Sequence, residues 1–155
     1  VDVYARIKSD IINLKPDILS ILIGVNDVWH ELGGERNGVD AEKYYKVYSM
    51  LIQEIKDALP NTEIMIMEPF VLKASATEKE WEIFKSEVLK RSEKAQAVAE
   101  EYGLTYIPLQ EKFNEAESRA KAAHWLYDGV HPSSAGHEII RKEWVNAFKK
   151  SVLKG

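Results

Sequence analysis

Asp128-Gly129-Val130-His131-Pro132 has the make-up of a general-base unit. An aspartate three residues before a histidine, in a segment tightened by glycine, lets the carboxylate accept the imidazole N–H. That contact orients the ring and stabilises its protonated form. A base of this kind serves a nucleophile, yet none is apparent in these 155 residues. There is no cysteine, and Ser9, Ser20, Ser49 and Ser75 do not fall in a G-x-S-x-G or other strand-to-helix elbow. The second chemically loaded stretch is Gly24-Val25-Asn26-Asp27. Its glycine permits a sharp exit from a strand, and the Asn26 amide can donate to a developing oxyanion. Each stretch taken singly also has a structural reading. Asn-Asp after Gly is ordinary Asx-turn chemistry, and Asp128 with Pro132 and Ser133-Ser134 can set up a following helix.

Trp29, Trp125 and Tyr127 flank the two stretches. Aromatics at such a rim stack on a sugar ring or pack on an acyl chain, or else anchor a core. Trp29 and Tyr127, with Val130 in the same turn as the base, are the substrate-binding candidates. His30, His124 and His137, even with Glu31 and Glu138, match no zinc spacing, so neither a metal nor another cofactor is expected. Gly33-Gly34-Glu35-Arg36-Asn37-Gly38 is glycine-rich but is not G-x-G-x-x-G, and it reads as a mobile lid rather than a phosphate cradle.

The elements that must carry these residues follow from periodicity. Val3, Ile7, Ile11 and Leu14 recur at helical spacing up to Pro16, where a helix should stop. Ile18-Leu19-Ser20-Ile21-Leu22-Ile23 is a nearly continuous β-branched run, the mark of a buried parallel strand, with a loop from Gly24 onward. Asp40 should cap a helix to about Leu59, and Ile64-Met65-Ile66-Met67 a second strand. Thr77-Glu78-Lys79-Glu80 has the form of a capping box opening a helix to Tyr102, stopped by Gly103. The apolar face of that helix, from Trp81 and Phe84 to Val98 and Tyr102, is interrupted by Arg91. A third strand at 104–108, a helix at 111–122 and a last helix at 133–153 complete the chain. Strands alternating with helices predict a three-layer α/β/α doubly wound parallel sheet, flavodoxin-like, with ligands beyond the carboxyl ends of the strands.

Composition narrows the function. One domain is expected at this length, and 45% hydrophobic residues suffice for a core. With 21 basic against 25 acidic residues spread along the chain, no basic patch suits nucleic acid. No apolar run is long enough for membrane insertion. The absence of cysteine fits a reducing, cytoplasmic compartment, although the abrupt start leaves a lost signal peptide open, and homo-oligomerisation is left open too.

Together, Gly24–Asp27 and Asp128–Pro132 resemble the third and fifth sequence blocks of the SGNH hydrolases, the GDSL-type esterases and lipases. Val28-Trp29 and the Ser133–His137 stretch extend the likeness, and the order of elements follows it throughout the chain. The resemblance implies a serine ester hydrolase in which His131 is the general base, Asp128 orients it and Asn26 belongs to the oxyanion hole. It also implies an acyl-enzyme intermediate. The family's serine and glycine blocks have no match, so the expected domain, residues 1–155, lacks its first strand–helix–strand portion, and the nucleophile should lie upstream of Val1. The Asn-Asp-Val-Trp run and the aromatic before Asp128 are similar to small carbohydrate-acetyl esterases, which points to short-chain esters such as O-acetyl sugars. The competing expectation is a non-catalytic carbohydrate-binding domain or an incomplete subunit of the same fold.

Overall fold

The structure is a computed structural model that describes residues 1–34, 36–151 and 153. Glu35 of the glycine-rich stretch and Val152 of the expected last helix lie outside the described residues. Two short helices, α1 (Asp2–Ala5) and α2 (Ile7–Asp10), lead through a 3-10 turn at Ile12–Leu14 into strand β1 (Ile18–Ile21). Then come α3 (Val25–Leu32), α4 (Ala41–Ala58), β2 (Glu63–Met67), α5 (Trp81–Tyr102) and β3 (Thr105–Ile107). Helices α6 (Gln110–Glu117), α7 (Ala122–Trp125) and α8 (Ser134–Ser151) follow.

The three strands are parallel in the order β1-β2-β3, with Ile18 opposite Glu63 and Met67 opposite Ile107. β2 shows why its sequence is an unbroken apolar run. Ile64 and Ile66 face one helical layer, Met65 and Met67 the other, and all four are buried. On the first side they meet Ile7 and Ile11 of α2 and its end, Tyr48, Leu51, Ile52 and Ile55 of α4, and Ala95 and Val98 of α5. On the second side lie Phe113, Leu126 and the half-buried Ile139, Trp144 and Phe148 of α8. This is the expected three-layer α/β/α arrangement, with helices on both faces of a parallel sheet.

Local expectations needed four corrections. The opening helix is broken at Arg6 and Ile11, and only part of its expected apolar stripe is used, since Ile7 and Ile11 are buried whereas Leu14 is 70% exposed. Gly24 onward is not a loop, since Gly24 is the N-cap of α3. Thr77 does not cap α5. Its hydroxyl donates to the Leu72 carbonyl at 2.7 Å and accepts from the Ala74 N–H at 3.0 Å, so it serves the preceding loop. Finally, the helix expected at 111–122 stops at Glu117, and a separate short helix, α7, begins only at Ala122. Asp40 caps α4 as expected, accepting from the Lys43 N–H at 2.8 Å, and Gly103 closes α5 in a left-handed conformation.

At one side of the sheet β1 pairs with β2 alone, so among the described residues its other edge is open. α8 crosses back towards this edge, and its Trp144 indole donates to the Ser20 hydroxyl at 2.6 Å. Gly136 is the only fully buried residue on α8. Among the described residues no helix is long and apolar enough to cross a membrane.

Candidate active site

Between α7 and α8 the chain makes a narrow turn, closed by a bridge between Leu126 and Pro132 and by the Tyr127 N–H donating to the His131 carbonyl at 2.9 Å. Gly129 sits at its tip with φ 101°, and a Cβ there would come within 2.4 Å of the Leu72 carbonyl oxygen. Only glycine meets both demands. The turn is stitched to the loop after β2 by Leu72 N–H to Gly129 carbonyl (2.9 Å) and Ala76 N–H to Asp128 carbonyl (3.0 Å). Thr77, 1% exposed, braces the loop from inside.

Held this way, Asp128 directs both carboxylate oxygens inward along the turn. Oδ1 accepts the N–H groups of Val130 and His131, each at 2.9 Å, and Oδ2 lies 2.8 Å from His131 Nδ1. Burial alone would raise the Asp128 carboxyl; the His131 N–H, its imidazole and the Val130 N–H outweigh it and hold the group below the ordinary aspartate value. An ionised carboxylate accepts only, so Nδ1 carries the proton and Nε2 is left for chemistry. Helix initiation falls to a different residue: Ser133 Oγ accepts the Gly136 N–H at 3.2 Å and donates to the His124 carbonyl. Asp128 is therefore free of capping duty.

The second stretch lies at the carboxyl end of β1, on the first turn of α3, where Gly24 turns the chain with φ 129°. Asn26 is exposed there, and Trp29, three residues on, shares its helix face. The Trp29 ring packs against the His131 imidazole, with centroids 5.5 Å apart and planes tilted by 53°. Val28 and Val130 are buried together with Val71, Phe84 and Val88, which locks α3, the histidine turn and α5 into one cluster. Asn26 and the Asp128–His131 pair thus occupy the same end of the sheet, beyond the strand carboxyl ends.

Of the rim candidates, Tyr127 is 63% exposed and Trp29 half-buried, whereas Val130, at 6% exposure, serves the core. Trp125 packs on the second layer, its indole donating to the Ala120 carbonyl with Arg119 over its ring. His30 joins Asn26 and Asp27 in lining a cavity of about 230 Å³, His124 stacks edge-on against Trp125, and His137 lies on α8. Among the described residues no three histidine or carboxylate side chains converge.

The lid expectation for the glycine-rich stretch is corrected at its far end. Gly38 is wedged so close to α3 that a Cβ would fall 2.0 Å from the Asp27 carbonyl oxygen. Arg91 Nη2 donates to the adjoining Val39 carbonyl at 2.6 Å. Arg91 Nη1 binds the carboxylate and carbonyl of Glu87, and Nε has no hydrogen-bond partner among the described residues. Burial pushes the Asp27 carboxyl up, with the Arg91 charge working against it. Periodicity alone did not reveal that Arg91 holds this stretch, but a charge in the middle of an apolar helix face was its signal.

Residues 1–139 match the profile of the GDSL-like Lipase/Acylhydrolase family. An acetylxylan esterase of Geobacillus stearothermophilus is 29% identical over 157 residues, covering 94% of this chain and 69% of the relative. The crystal structure of that bacterium's acetylxylan esterase superposes with a TM-score of 0.81 at 28% identity, over 94% of this chain and 65% of the other. A protein of Parabacteroides merdae assigned as a GDSL-like lipase superposes with a TM-score of 0.88 at 34% identity, over 94% of this chain and 66% of the other. The chain thus spans about two thirds of the length of these relatives. Variants of the Geobacillus esterase with a serine, an aspartate or a histidine replaced are described as catalytic mutants, and its aspartate and histidine are three positions apart.

Proposed function

The chain belongs to the GDSL-like lipase/acylhydrolase family, and from that membership we propose that it carries the acid–base and oxyanion elements of a serine esterase acting on short-chain acyl esters. The observation that carries this reading is the 2.8 Å contact between an ionised Asp128 and His131 Nδ1, which leaves Nε2 as the base. The same three-residue spacing separates the aspartate and histidine of the esterase from Geobacillus, and a tryptophan precedes that aspartate where Tyr127 precedes Asp128.

In the proposed reaction a serine supplied by sequence outside these residues attacks the ester carbonyl. Nε2 of His131 takes the hydroxyl proton and returns it to the departing alcohol, and water, deprotonated by the same nitrogen, clears the acyl group. Asn26 donates its amide N–H to the oxyanion of each tetrahedral intermediate. Similarity to an acetylxylan esterase supports an O-acetyl sugar as substrate, and the exposed Tyr127 and the half-buried Trp29 that packs on His131 each offer a ring face on which a sugar can stack. The open edge of β1 supports placing the serine on an additional strand paired there.

The test uses the full-length protein. A serine-reactive phosphonate should label one serine, and replacing His131 with Ala should abolish labelling. Asn26→Ala should lower kcat on p-nitrophenyl acetate by about 10²–10³ while the protein remains folded. Labelling that is indifferent to His131, or full kcat without Asn26, would remove the respective assignment. Acetylated xylo-oligosaccharides compared with p-nitrophenyl butyrate would test the substrate class.

A further inference from the structure

The first turn of α3 does not hold itself. Gly24 departs from the range of L-residues at φ 129°, and α3 has no side-chain N-cap. What fixes the turn comes from other elements. Tyr44 of α4, 4% exposed, donates its hydroxyl to the Ile23 carbonyl at 3.1 Å, immediately before Gly24. A Cβ on Gly24 would lie 3.3 Å from both the Tyr44 hydroxyl oxygen and Pro69, so the turn rests directly on this tyrosine. On the other side, Gly38 abuts the Asp27 carbonyl. Asn26 lies between the two supports. Burial pushes the Tyr44 hydroxyl well above its ordinary pKa, helped by the Asp27 charge, so it stays protonated and remains a donor.

We infer that Tyr44 is a positioning residue for Asn26: its hydroxyl, by holding the Ile23 carbonyl, sets where the Asn26 amide stands relative to the reacting carbonyl. The inference rests on the reading of Asn26 as the oxyanion donor. An oxyanion donor must meet the transition-state oxygen within a few tenths of an ångström, so a support one hydrogen bond away affects kcat more than substrate binding. Tyr48, one turn further along α4, provides the contrast. It is 2% exposed, its ring meets that of Tyr44 edge-on at 5.5 Å, and its hydroxyl has no hydrogen-bond partner among the described residues.

The experiment is a double-mutant cycle on the full-length enzyme with p-nitrophenyl acetate. Tyr44→Phe is expected to lower kcat by about 3- to 10-fold, the scale of one lost hydrogen bond, with KM changed less than twofold. Tyr48→Phe should leave kcat unchanged. In the Asn26→Ala background Tyr44→Phe should have no further effect, because the group it positions is gone. Incorporation of 3-fluorotyrosine at position 44, which keeps the ring and hydroxyl but alters the strength of the hydrogen bond, serves as the second probe should Tyr44→Phe not fold, and any change in kcat it brings is expected to show the same dependence on Asn26. Equal losses from Tyr44→Phe with and without Asn26, or an unchanged kcat, would overturn the inference. If Asn26→Ala alone kept full kcat, the oxyanion reading would fail instead, and the cycle separates the two.

Discussion

The Asp128 carboxylate has three N–H partners within 2.9 Å, two from backbone and one from the imidazole, and those bonds depend on its ionisation. Its value is held below that of a free aspartate, so the stabilisation it confers is complete above about pH 4 and is lost as pH falls through the lowered folded value. Thermal midpoints of the wild type and Asp128→Asn should therefore differ at neutral pH and converge in strong acid; a constant gap would mean that the carboxylate charge does not contribute. In the full-length enzyme the same substitution should lower kcat by 10²-fold or more on the order seen for triad aspartates, because an amide no longer selects the imidazole tautomer. At this scale the sequence was legible where chemistry requires a fixed spacing. The Asp128–His131 contact was legible because a carboxylate and an imidazole pair at a fixed spacing that survives translation into a string. Thr77 was misread because its hydroxyl has two backbone uses with the same local signature, and a nearby loop won over the helix.

Among the elements, α5 shows how a violated pattern carries information. Arg91 broke an apolar face in the sequence, yet in the structure it is 2% exposed on that very face, joining Glu87 to the Val39 carbonyl. It ties the end of the glycine-rich stretch to α5, and Gly38 in turn fits against α3. Arg91→Met should cost about 1–3 kcal/mol in urea unfolding, since the Val39 carbonyl is left unpaired while Glu87, still 30% exposed, regains water. Unchanged or higher stability would show that an apolar side chain replaces the pair without loss, as happens for some buried ion pairs. Strand and helix order was legible because β2 is buried on both faces and α4 on one, and each period is strong. The helical start at Gly24 was not, because a glycine N-cap gives no side-chain signal.

The whole molecule is a three-stranded parallel sheet in which, among the described residues, the outer edges of β1 and β3 carry no further strand. β1 offers an unpaired edge with Leu22 40% exposed just beyond it, and α8 leaves Ile139, Ile140, Trp144 and Phe148 only half-covered. Residues 1–155 produced alone should therefore associate with rising concentration, seen by sedimentation, and Leu22→Lys should suppress it. A strictly monomeric, concentration-independent species would count against the edge as a sticky surface. The layered architecture was readable from alternation alone, whereas long-range ties between loops were not, because they pair backbone groups that every residue possesses. Foremost among those ties is the seam joining Leu72 and Ala76 to Gly129 and Asp128. It has a consequence for anyone building chimaeras between relatives: residues 126–133 and 70–77 form one transplantable module, and a donor histidine turn grafted without its matching partner loop would arrive with its glycine tip facing the wrong wall.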